Sequence, residues 1–479
     1  MAAELGLTVT KEQDFSGWYT QLLQKAELIE YSDVSGCYIL RPRAYYIWEK
    51  IQEYLDKKFK ATGVKNTYFP LFIPESLLTK EKEHVEGFSP EVAWVTHAGE
   101  TKLNERLAIR PTSETIMYAA YAKWIRSYKD LPLLLNQWNS VVRWEFRNPV
   151  PFLRSREFLW QEGHSVFATK QEADTEVRER LEIYDQCYNE LLCIPTLKGR
   201  KSEKEKFAGA DYSYSLEAFL PNGRAAQACT SHHLGQNFSR AFNIIYLDNE
   251  GQQQYAYQNS WGFSTRSLGI MIMIHSDNKG LILPPAVAEC QAVIIPISSE
   301  EKKKDILNAC KQAQKTLKHF NAFVDDREEH TPGWKYNEWE LKGIPLRIEI
   351  GPRDLEKDQA VLVRRDTGKK AFVPMKDLKE QTTKILEEMQ QELHTKAETF
   401  LKENTVKTNT FEEFQQAIKN KKIILAPWCG QEECETSLKD KTDGAKSLNI
   451  PFNQEKITGK RCFHCNEQAI TEAYFSKSY

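Results

Sequence analysis

The residues that could do chemistry concentrate between Val141 and Phe167, where arginines, carboxylates and aromatic residues alternate. In the run VVRWEF, this alternation predicts a strand with Arg143, Glu145 and Arg147 on one face. A loop with two prolines follows, and a second predicted strand places four more side chains on one face: Phe158, Trp160, Glu162 and His164. Two adjacent strands would thus line one concave surface.

This surface combines the chemistry of a nucleotide site with that of a small-ligand site. Arginines bind phosphates, an aromatic ring stacks on a base, and an aromatic, a carboxylate and a histidine suit a small charged ligand. A solvated amphipathic hairpin is the alternative, and it explains the charges but not Phe158 and Trp160 beside them. The pattern therefore favours a binding site.

Four of the ten cysteines crowd into the last part of the chain. Cys429 and Cys434 form one pair, and 27 residues separate it from a second pair, Cys462 and Cys465. Two such thiol pairs are typical of a tetrahedral zinc site with a structural role. His464 is a competing candidate for the fourth ligand, and two thiol pairs without metal are the alternative interpretation.

The bulk composition is that of a globular protein: 479 residues at roughly 150 per domain suggest about three domains. A net charge of -2 provides no overall attraction to phosphate, so any nucleic-acid contact must come from local patches. The N-terminus has no cationic start and no apolar run, and the longest apolar stretches are too short to cross a bilayer. We expect a cytoplasmic protein with no membrane partner, whose cysteines are reduced or bind metal.

The part of the chain up to Lys279 is expected to be one large mixed domain. Apolar residues recur at helical spacing in one stretch: Ile47, Ile51, Leu55 and Phe59. The segment 67–73 then looks extended around Pro70, which suggests an edge or an interface. A second amphipathic helix is expected over 171–192, packed on a sheet.

Strand and helix patterns alternate after Pro284. The predicted order is strand 292–297, helix 299–320, strand 322–325, helix 334–342 and strand 346–350. This alternation predicts an α/β unit with a mostly parallel sheet. A turn at 365–368 then joins two further strands, and a long charged helix over 376–402 leads into the cysteine-bearing tail. The predicted domains are 1–283, 284–405 and 406–479.

Several of these segments resemble the signature motifs of class II aminoacyl-tRNA synthetases. Arg143-Trp144-Glu145, Arg154 and Arg156-Glu157-Phe158 resemble the second motif. Thr67-Tyr68-Phe69-Pro70 resembles the first motif, which builds a dimer interface around a proline. Gly262-Phe263-Ser264-Thr265-Arg266 resembles the third motif, without the usual glutamate before the arginine. That form of the third motif is the one that the prolyl members of the class carry.

Further matches extend the resemblance over nearly the whole chain and make it specific to prolyl-tRNA synthetases of the archaeal and eukaryotic type. They are Arg110-Pro111-Thr112-Ser113-Glu114, Trp160-Gln161-Glu162-Gly163-His164, Gln227 with Thr230-Ser231-His232, and Trp261-Gly262. The resemblance implies a multidomain α/β protein with a class II catalytic domain on an antiparallel sheet, an α/β anticodon-binding domain and a small C-terminal zinc-binding domain. It also implies a homodimeric ligase that joins L-proline to tRNA(Pro) with ATP and Mg²⁺.

Individual site residues follow from the same resemblance. Those implied to bind ATP are Arg143, Glu145, Arg154, Phe158, Gln227, Thr230 and Arg266, of which Arg143, Glu145 and Arg266 form the catalytic set. Those implied to form the proline pocket are Thr112, Glu114, Arg143, Trp160, Glu162, His164, His232 and Gly262. Those that fall where the family reads the anticodon are Glu340, Arg347, Arg353 and Asp354. Ordinary surface ion pairs are the alternative for this last group. The resemblance also implies that the four tail cysteines hold Zn²⁺.

Two rival functions are disfavoured. A threonyl enzyme needs zinc ligands in its catalytic domain, and no cysteines there form a ligand-like pair. A paralogue without catalysis would be expected to have lost one of four residues that are all present: Arg143, Arg154, Glu114 and Arg266. His164 and His232, considered alone, would be ordinary core histidines, and neither is expected to act as a general base.

Two further expectations concern an insertion and the C-terminus. Only 62 residues separate His164 from Gln227, too few for the domain-sized editing insertion of bacterial prolyl enzymes. The aromatic C-terminus predicts that Tyr479 docks on the catalytic domain, with an arginine or lysine receiving its carboxylate. Packing of these aromatic residues on the zinc domain alone is the alternative.

Overall fold

The computed structural model describes residues 6–84, 91–297, 301–454 and 457–479. Its α-helices are α1 (Phe15–Lys25), α2 (Pro42–Ala61), α3 (Glu75–His84), α4 (Glu114–Trp124), α5 (Lys170–Gln186), α6 (Asn237–Phe242), α7 (Arg266–His275), α8 (Lys303–Thr316), α9 (Pro332–Leu341), α10 (Pro352–Glu356), α11 (Leu378–Glu403), α12 (Phe411–Lys419) and α13 (Glu432–Lys441). Its strands are β1 (Ile29–Tyr31), β2 (Tyr38–Leu40), β3 (Lys65–Asn66), β4 (Phe72–Pro74), β5 (Trp94–Ala98), β6 (Thr101–Ile109), β7 (Leu133–Val142), β8 (Glu157–Phe167), β9 (Leu197–Arg200), β10 (Tyr212–Phe219), β11 (Ala225–Gly235), β12 (Ile245–Leu247), β13 (Gln253–Tyr255), β14 (Tyr257–Ser264), β15 (Ala292–Pro296), β16 (Phe323–Val324), β17 (Leu346–Ile350), β18 (Gln359–Arg364), β19 (Lys370–Pro374), β20 (Thr405–Lys407), β21 (Ile423–Trp428), β22 (Ala445–Pro451) and β23 (Thr471–Lys477).

Two long helices form where the apolar spacing predicts them. α2 begins at Pro42 and buries the predicted apolar stripe, and the chain leaves it through Gly63, whose φ of +85° favours glycine. α5 begins at a capping box formed by Thr169 and Glu172 and continues as a π-helical turn over Cys187–Leu191. α5 packs on β11 and β14, as expected for a helix that covers a sheet.

The central sheet has the order β9-β10-β11-β14-β8-β7-β3 and is antiparallel except where β3 meets β7. The predicted antiparallel core is therefore confirmed, but the strand predicted through VVRWEF is too long, since β7 ends at Val142. The backbone N–H of Trp144 donates to the carbonyl of Glu91 (3.3 Å) instead of to β8. The ladder stops for this reason, and the polar residues after Val142 follow a turn.

The segment around Pro70 belongs to strands only at its ends. β3 ends at Asn66 and β4 begins at Phe72, with an irregular path between them. The backbone N–H of Phe69 donates to the side-chain oxygen of Gln137 (2.9 Å), and Pro70 has no N–H for a ladder. Backbone hydrogen bonds remain at both ends of the segment, from Thr67 N–H to the carbonyl of Asn136 (2.8 Å) and from Arg110 N–H to the carbonyl of Leu71 (3.0 Å), and the side chain of Gln137 binds the backbone between them.

The α/β unit has the predicted order of elements from β15 to α11, in a sheet of order β16-β15-β17-β18-β19. β15 pairs parallel with β16 and β17, whereas β17–β18 and β18–β19 are antiparallel. The predicted parallel pairing is confirmed for the three alternating strands, whereas the short connections through α10 and through the turn at 365–368 return β18 and β19 antiparallel, so the sheet as a whole is mixed. α8 begins at Lys303, and the first residues of the predicted helix, Ser299 and Glu300, lie outside the described residues.

Residues 405–479, here called the C-terminal unit, form a sheet of order β20-β21-β23-β22 that continues the central sheet. β22 pairs antiparallel with β9, with Ile450 opposite Arg200 and Pro451 opposite Gly199. A Cβ on Gly199 would lie 2.3 Å from the carbonyl oxygen of Ile450, so glycine permits this close approach. The domain limits near 284 and 406 stay predictions. Of the helices in the described part of the chain, none is both long and apolar enough to span a bilayer.

Candidate active site

A cavity of about 370 Å³ opens over the middle of the central sheet. Its floor follows from strand register, because Glu162 of β8 lies opposite Gly262 of β14, which lies opposite Thr230 of β11. The next row across the same strands is His164, Ser260 and His232. Partners on neighbouring strands point to the same face, so residues from three distant segments form one polar surface.

The opposite face of β8 packs on the core and fixes this surface from behind. A Cβ on Gly163 would lie 2.1 Å from the ring of Trp261, so a side chain there would displace the indole. The hydroxyl of Tyr184 on α5 donates to the side-chain oxygen of Gln161 (2.6 Å). β8 is therefore held rigidly between the cavity and α5.

The carboxylate of Glu162 is saturated by protein donors. It accepts hydrogen bonds from the backbone N–H of Ser113 (3.0 Å) and from the side-chain amides of Gln137 (2.9 Å) and Asn139 (2.8 Å). Its Oε2 also lies 3.1 Å from Nε2 of His164. Burial alone would raise the pKa of Glu162, but the hydrogen bond and charge of His164 and the polar donors lower it to about 2.

His164 carries the matching shift. Burial lowers its pKa, but the hydrogen bond to Glu162 and the negative charges of Glu114 and Glu162 raise it above the ordinary value. Its Nδ1 lies 3.0 Å from the hydroxyl of Tyr118, so both ring nitrogens have partners. The imidazole is thus fixed in place as a wall of the cavity, and with both nitrogens engaged it is poorly suited to accept a proton from a substrate.

Glu114 supplies a second buried carboxylate at the first turn of α4. Thr112 donates a hydrogen bond to Glu114. A carboxylate oxygen of Glu114, a carboxylate oxygen of Glu162 and a ring nitrogen of His164 lie within 4.8 Å of one another. A carboxylate at a helix N-terminus is stabilised in its charged form by the helix dipole. With Glu162 held by His164 and by its backbone and amide donors, Glu114 is the carboxylate of this group with the fewest protein partners among the described contacts.

Three arginines lie close to one another at the other side of the site. Arg266 begins α7 and donates to the carbonyls of Leu153 (3.0 Å) and Gln227 (3.1 Å). Burial and the positive charge of Arg143, with a smaller effect from Arg154, lower the pKa of Arg266. Arg143 and Arg266 line the cavity, whereas Arg154 is exposed in the turn after Val150. Such neighbouring cations are stabilised by an anion, so this end suits phosphates.

Aromatic rings flank Arg143. Its guanidinium carbon lies 5.5 Å from the ring centroid of Phe158 and 5.2 Å from that of Trp160, and its Nε donates to the carbonyl of Pro111 (3.1 Å). The cavity is also lined by the remaining polar residues that the resemblance assigned to ATP: Glu145, Gln227 and Thr230. An aromatic ring of the kind that stacks on a base and cations of the kind that bind phosphates therefore share one cavity.

The structure also brings residues to the cavity that the sequence did not single out: Lys201, Glu205, Phe207, Ser213 and Ser260. The ring centroid of Phe207 lies 4.8 Å from that of His232, and Ser213 Oγ lies 2.7 Å from His232 Nδ1. Burial lowers the pKa of His232 to about 3, with further lowering by Lys201, His164 and Arg143, so this imidazole is neutral. Outside the motifs, no local pattern marks these residues. Ser213 and Ser260 reach the cavity through the register of β10 and β14, whereas Lys201, Glu205 and Phe207 lie in the connection between β9 and β10.

The residues predicted to read the anticodon lie in the α/β unit, and the structure joins only some of them. Arg347 on β17 forms ion pairs with Glu340 (2.9 Å) and Glu349 (2.9 Å), and its guanidinium lies 3.9 Å from the ring of Tyr336. Asp354 instead accepts from the backbone N–H of Gly351 (3.0 Å) and caps α10, where Arg353 is its neighbour. Arg347 and Glu340 therefore form a polar pair beside an aromatic ring.

The four tail cysteines form one cluster, with their sulfur atoms within 4.8 Å of one another. Cys434 Sγ lies 3.8 Å from Cys462 Sγ, and Cys465 Sγ lies 3.6 Å from Cys429 Sγ. Four sulfurs bound to zinc at about 2.3 Å in a tetrahedron would lie about 3.8 Å apart, so the donor set fits this ion. His464 Nε2 is directed to Ser437 Oγ (3.1 Å), which leaves Cys465 as the fourth member.

The C-terminal residue docks on the central sheet. The backbone N–H of Tyr479 donates to the carbonyl of Ala225 (3.0 Å), and its hydroxyl accepts from the side chain of Asn222 (2.7 Å). The predicted docking is confirmed, but Arg224 meets the ring, at 5.5 Å, and the terminal oxygen accepts from Ser478 Oγ (3.2 Å). The nearby cation, Arg224, therefore contacts the ring of Tyr479 and not its carboxylate.

Comparison with protein families gives three matches along the chain. Residues 95–275 match the class II core domain of tRNA synthetases (G, H, P, S and T), residues 291–385 match an anticodon binding domain, and residues 411–479 match the C-terminal domain of prolyl-tRNA synthetase. The cavity residues from Thr112 to Arg266 all lie within the first match.

Whole-chain comparisons agree with these matches. The chain is 50% identical to a cytoplasmic proline–tRNA ligase of Arabidopsis thaliana over 99% of this chain and 91% of that protein. It is 49% identical to a proline–tRNA ligase 2 of Bacillus cereus over the full length of both. A crystal structure of Cryptosporidium parvum prolyl-tRNA synthetase with halofuginone and AMPPNP superposes with a TM-score of 0.95 at 48% identity, over 99% of this chain and 100% of that one. Because both ligases match from end to end, the chain belongs to the prolyl-tRNA synthetase family of class II aminoacyl-tRNA synthetases.

Proposed function

We propose that this chain is a proline–tRNA ligase that activates L-proline with ATP and transfers it to the 3′ end of tRNA(Pro). The observation that carries the proposal is a single cavity lined by Arg143, Arg266 and Phe158 together with the buried carboxylate of Glu114. ATP–pyrophosphate exchange with each of the twenty amino acids tests it. Exchange is expected with proline, and equal exchange with threonine or alanine at saturation would contradict the assignment.

The first step needs no general base. The proline carboxylate is already ionised at neutral pH, so one of its oxygens attacks the α-phosphorus of ATP. A bond forms between that oxygen and phosphorus, the bond from phosphorus to the bridging oxygen breaks, and pyrophosphate leaves. Arg143 and Arg266 stabilise the charge that spreads over the phosphate oxygens, and Arg154 and Arg266 hold the outer phosphates.

ATP is expected to enter with Mg²⁺, which would neutralise phosphate charge when bound. The cavity offers oxygen donors of the kind that this ion prefers, on Glu145, Gln227 and Thr230. The same three residues would otherwise contact the base and the ribose. Phe158 stacks against adenine in this arrangement.

The proline pocket lies around the two buried carboxylates. The secondary ammonium of proline requires an acceptor, and Glu114 supplies it with help from Thr112. Trp160, His232 and Gly262 surround the apolar ring, while His164 and its partner Glu162 form the charged wall behind it. In the second step a terminal hydroxyl of tRNA attacks the carbonyl carbon of prolyl-adenylate, and AMP leaves.

The α/β unit would read the anticodon of tRNA(Pro). Arg347 and Glu340 present a cation and a carboxylate beside the ring of Tyr336, and such groups suit guanine edges and an unstacked base. Arg353 and Asp354 are assigned to the same role by position. The C-terminal unit would hold one structural Zn²⁺ on Cys429, Cys434, Cys462 and Cys465.

Two chains would form a homodimer in the cytoplasm. Aromatic side chains around the first motif are exposed: Tyr68 (69%), Phe72 (44%) and Trp124 (50%). The rings of Trp124 and Phe69 lie 5.8 Å apart, which links the surface of α4 to that of the segment before Pro70. An apolar surface of this kind is a candidate interface between copies of the chain.

A further inference from the structure

Lys201 is a buried lysine at the point where the cavity, the central sheet and the C-terminal unit meet. It directly follows β9, lines the cavity and is only 4% exposed. Its Nζ donates to Glu217 Oε1 (2.8 Å) on β10 and to the carbonyl of Leu448 (2.9 Å) on β22. A buried ammonium held on both sides in this way is fixed in position.

Glu217 is the acidic partner and is also buried, at 1% exposure. Ser215 Oγ donates to its Oε1 (2.9 Å), so lysine and serine hold the same oxygen. Among the described contacts, Oε1 is the only oxygen of Glu217 with a hydrogen-bond partner, and Lys201 donates to it. Lys201 therefore fixes the position of this carboxylate.

Glu217 is a close neighbour of a phosphate-binding arginine. In the ladder of β10 and β11 it lies opposite Gln227, and Arg266 donates to the carbonyl of that same Gln227 (3.1 Å). Burial and Arg143 lower the pKa of Arg266, whereas Tyr188 and Glu217 raise it, in keeping with the nearness of the carboxylate to the guanidinium. One buried carboxylate is thus placed between two cations.

We propose that Lys201 is a positioning residue for the ATP site: it holds the Glu217 carboxylate and so leaves Arg266 free to bind the triphosphate of ATP. Without the ammonium, the carboxylate would pair with Arg266 and compete with phosphate for it. This inference rests on the proposed function, since it takes Arg266 as a phosphate ligand.

The C-terminal unit keeps the lysine in place. Besides the carbonyl of Leu448, three polar contacts join the two sheets around Lys201: Ser447 Oγ with Ser202 Oγ (3.2 Å), Asn449 with the carbonyl of Leu197 (2.8 Å) and Lys446 with Glu205 (2.5 Å). Ser447 in turn donates to Glu435, the neighbour of Cys434 in α13. Side chains in direct contact therefore connect the cysteine-bearing unit to the wall of the ATP site.

The test compares Lys201→Met, Glu217→Gln and the double variant in proline-dependent pyrophosphate exchange. Lys201→Met is expected to raise the KM for ATP by about tenfold or more, since one charged hydrogen bond to phosphate is lost, while the KM for proline changes little. Adding Glu217→Gln removes the competing charge and is expected to restore the KM for ATP to within about threefold of the wild type. Lys198→Met serves as the control, because Lys198 on β9 pairs with Glu182 and Asp185 of α5 and does not line the cavity.

Several outcomes would overturn the inference. One is that Lys201→Met raises the KM values for ATP and proline equally; another is that the double variant is no better than the single one. If Lys201→Met does not fold, Lys201→Gln combined with Glu217→Gln replaces it, and a high KM for ATP in that folded protein overturns the inference. Absence of proline-dependent exchange in the wild type would instead contradict the proposed function, so the two failures are distinguishable.

Discussion

His164 Nε2 lies 3.1 Å from Glu162 Oε2, and both side chains are buried at the floor of the cavity. Protein donors on Ser113, Gln137 and Asn139 saturate the same carboxylate. Glu162 is therefore placed to hold His164 and not to receive a substrate ammonium directly. This arrangement separates the roles of the two carboxylates that the sequence assigned to one pocket, because Glu114 is left to face the ligand.

Replacing Arg143 with alanine is expected to lower proline-dependent pyrophosphate exchange by on the order of 100-fold, because a preorganised charge on the α-phosphate is lost. The free energy of unfolding should change little, since among the described hydrogen bonds the Arg143 side chain donates only to the carbonyl of Pro111. Urea denaturation and exchange kinetics measure the two effects. Arg147→Ala, an exposed arginine of the same loop, is the control and should keep its activity. A full rate in Arg143→Ala would contradict its assigned role.

The buried pair predicts a pH dependence of stability with a definite sign. The folded pKa of His164 is raised, so its contribution is fully present below the unfolded pKa of about 6.5 and is lost as pH rises through the folded value. Glu162, whose folded pKa is lowered to about 2, contributes above its unfolded pKa and loses this contribution only in strong acid. The stability difference between the wild type and His164→Gln should therefore shrink as pH rises above about 6.5.

His275 provides a matched control for this experiment. It is a buried histidine whose pKa is lowered to about 4 by burial, and its Nε2 lies 2.9 Å from the carbonyl of Leu192. Because it is neutral in the folded protein over that range, the difference between the wild type and His275→Gln should stay constant above about pH 6.5. A constant difference for His164→Gln as well would show that His164 is not charged in the folded protein.

Elemental analysis is expected to find one zinc per chain in protein purified without chelator. Cys462→Ser should lose the metal and lower the melting temperature, because a structural zinc contributes directly to folding. His464→Ala should retain the metal, since His464 is directed to Ser437. Cys37→Ser, in the hairpin of β1 and β2, is the thiol control. Protein without zinc, or loss of zinc in His464→Ala, would argue against the four-cysteine site.

Light scattering at micromolar concentration is expected to give the mass of a dimer. Tyr68→Glu should weaken it, because a charge at the centre of an apolar interface is costly to bury. Phe372→Glu, a similarly exposed aromatic (67%) on the α/β unit, should leave the mass unchanged. A fully active wild-type monomer would contradict the proposed assembly.

Deleting Ser478 and Tyr479 is expected to lower both stability and the kcat/KM of aminoacylation. The deletion removes the hydrogen bonds of Tyr479 to Ala225 and Asn222, which lie on and just before β11, the strand that carries Gln227. Lys477→Ala, which breaks only an exposed ion pair with Asp443, should behave like the wild type. Unchanged kinetics and stability in the deletion would leave the docked tyrosine without a role.

Local signals in the chain were enough to predict most of the helices and strands and to mark candidate site residues. Apolar spacing located α2 and α5, strand and turn signals ordered the α/β unit, and short motifs marked Arg143, Glu114 and His164, because each of these signals resides in neighbouring residues. The strand predicted from alternation through Val142 was too long, because a residue far away in the chain binds the backbone there. The N–H of Trp144 pairs with Glu91, and this pairing ends β7 earlier than the pattern predicts.

Contacts between residues far apart in the chain followed only from the assembled fold. Lys201 contacts Leu448 across 247 positions of the chain, and no local pattern marks either residue. The same holds for the register that aligns His164, Ser260 and His232 and for the pairing of β9 with β22. Strand pairing depends on the fit of whole faces that are far apart in the chain, so the partners of a buried charge are fixed by the assembled sheet and not by the sequence around it.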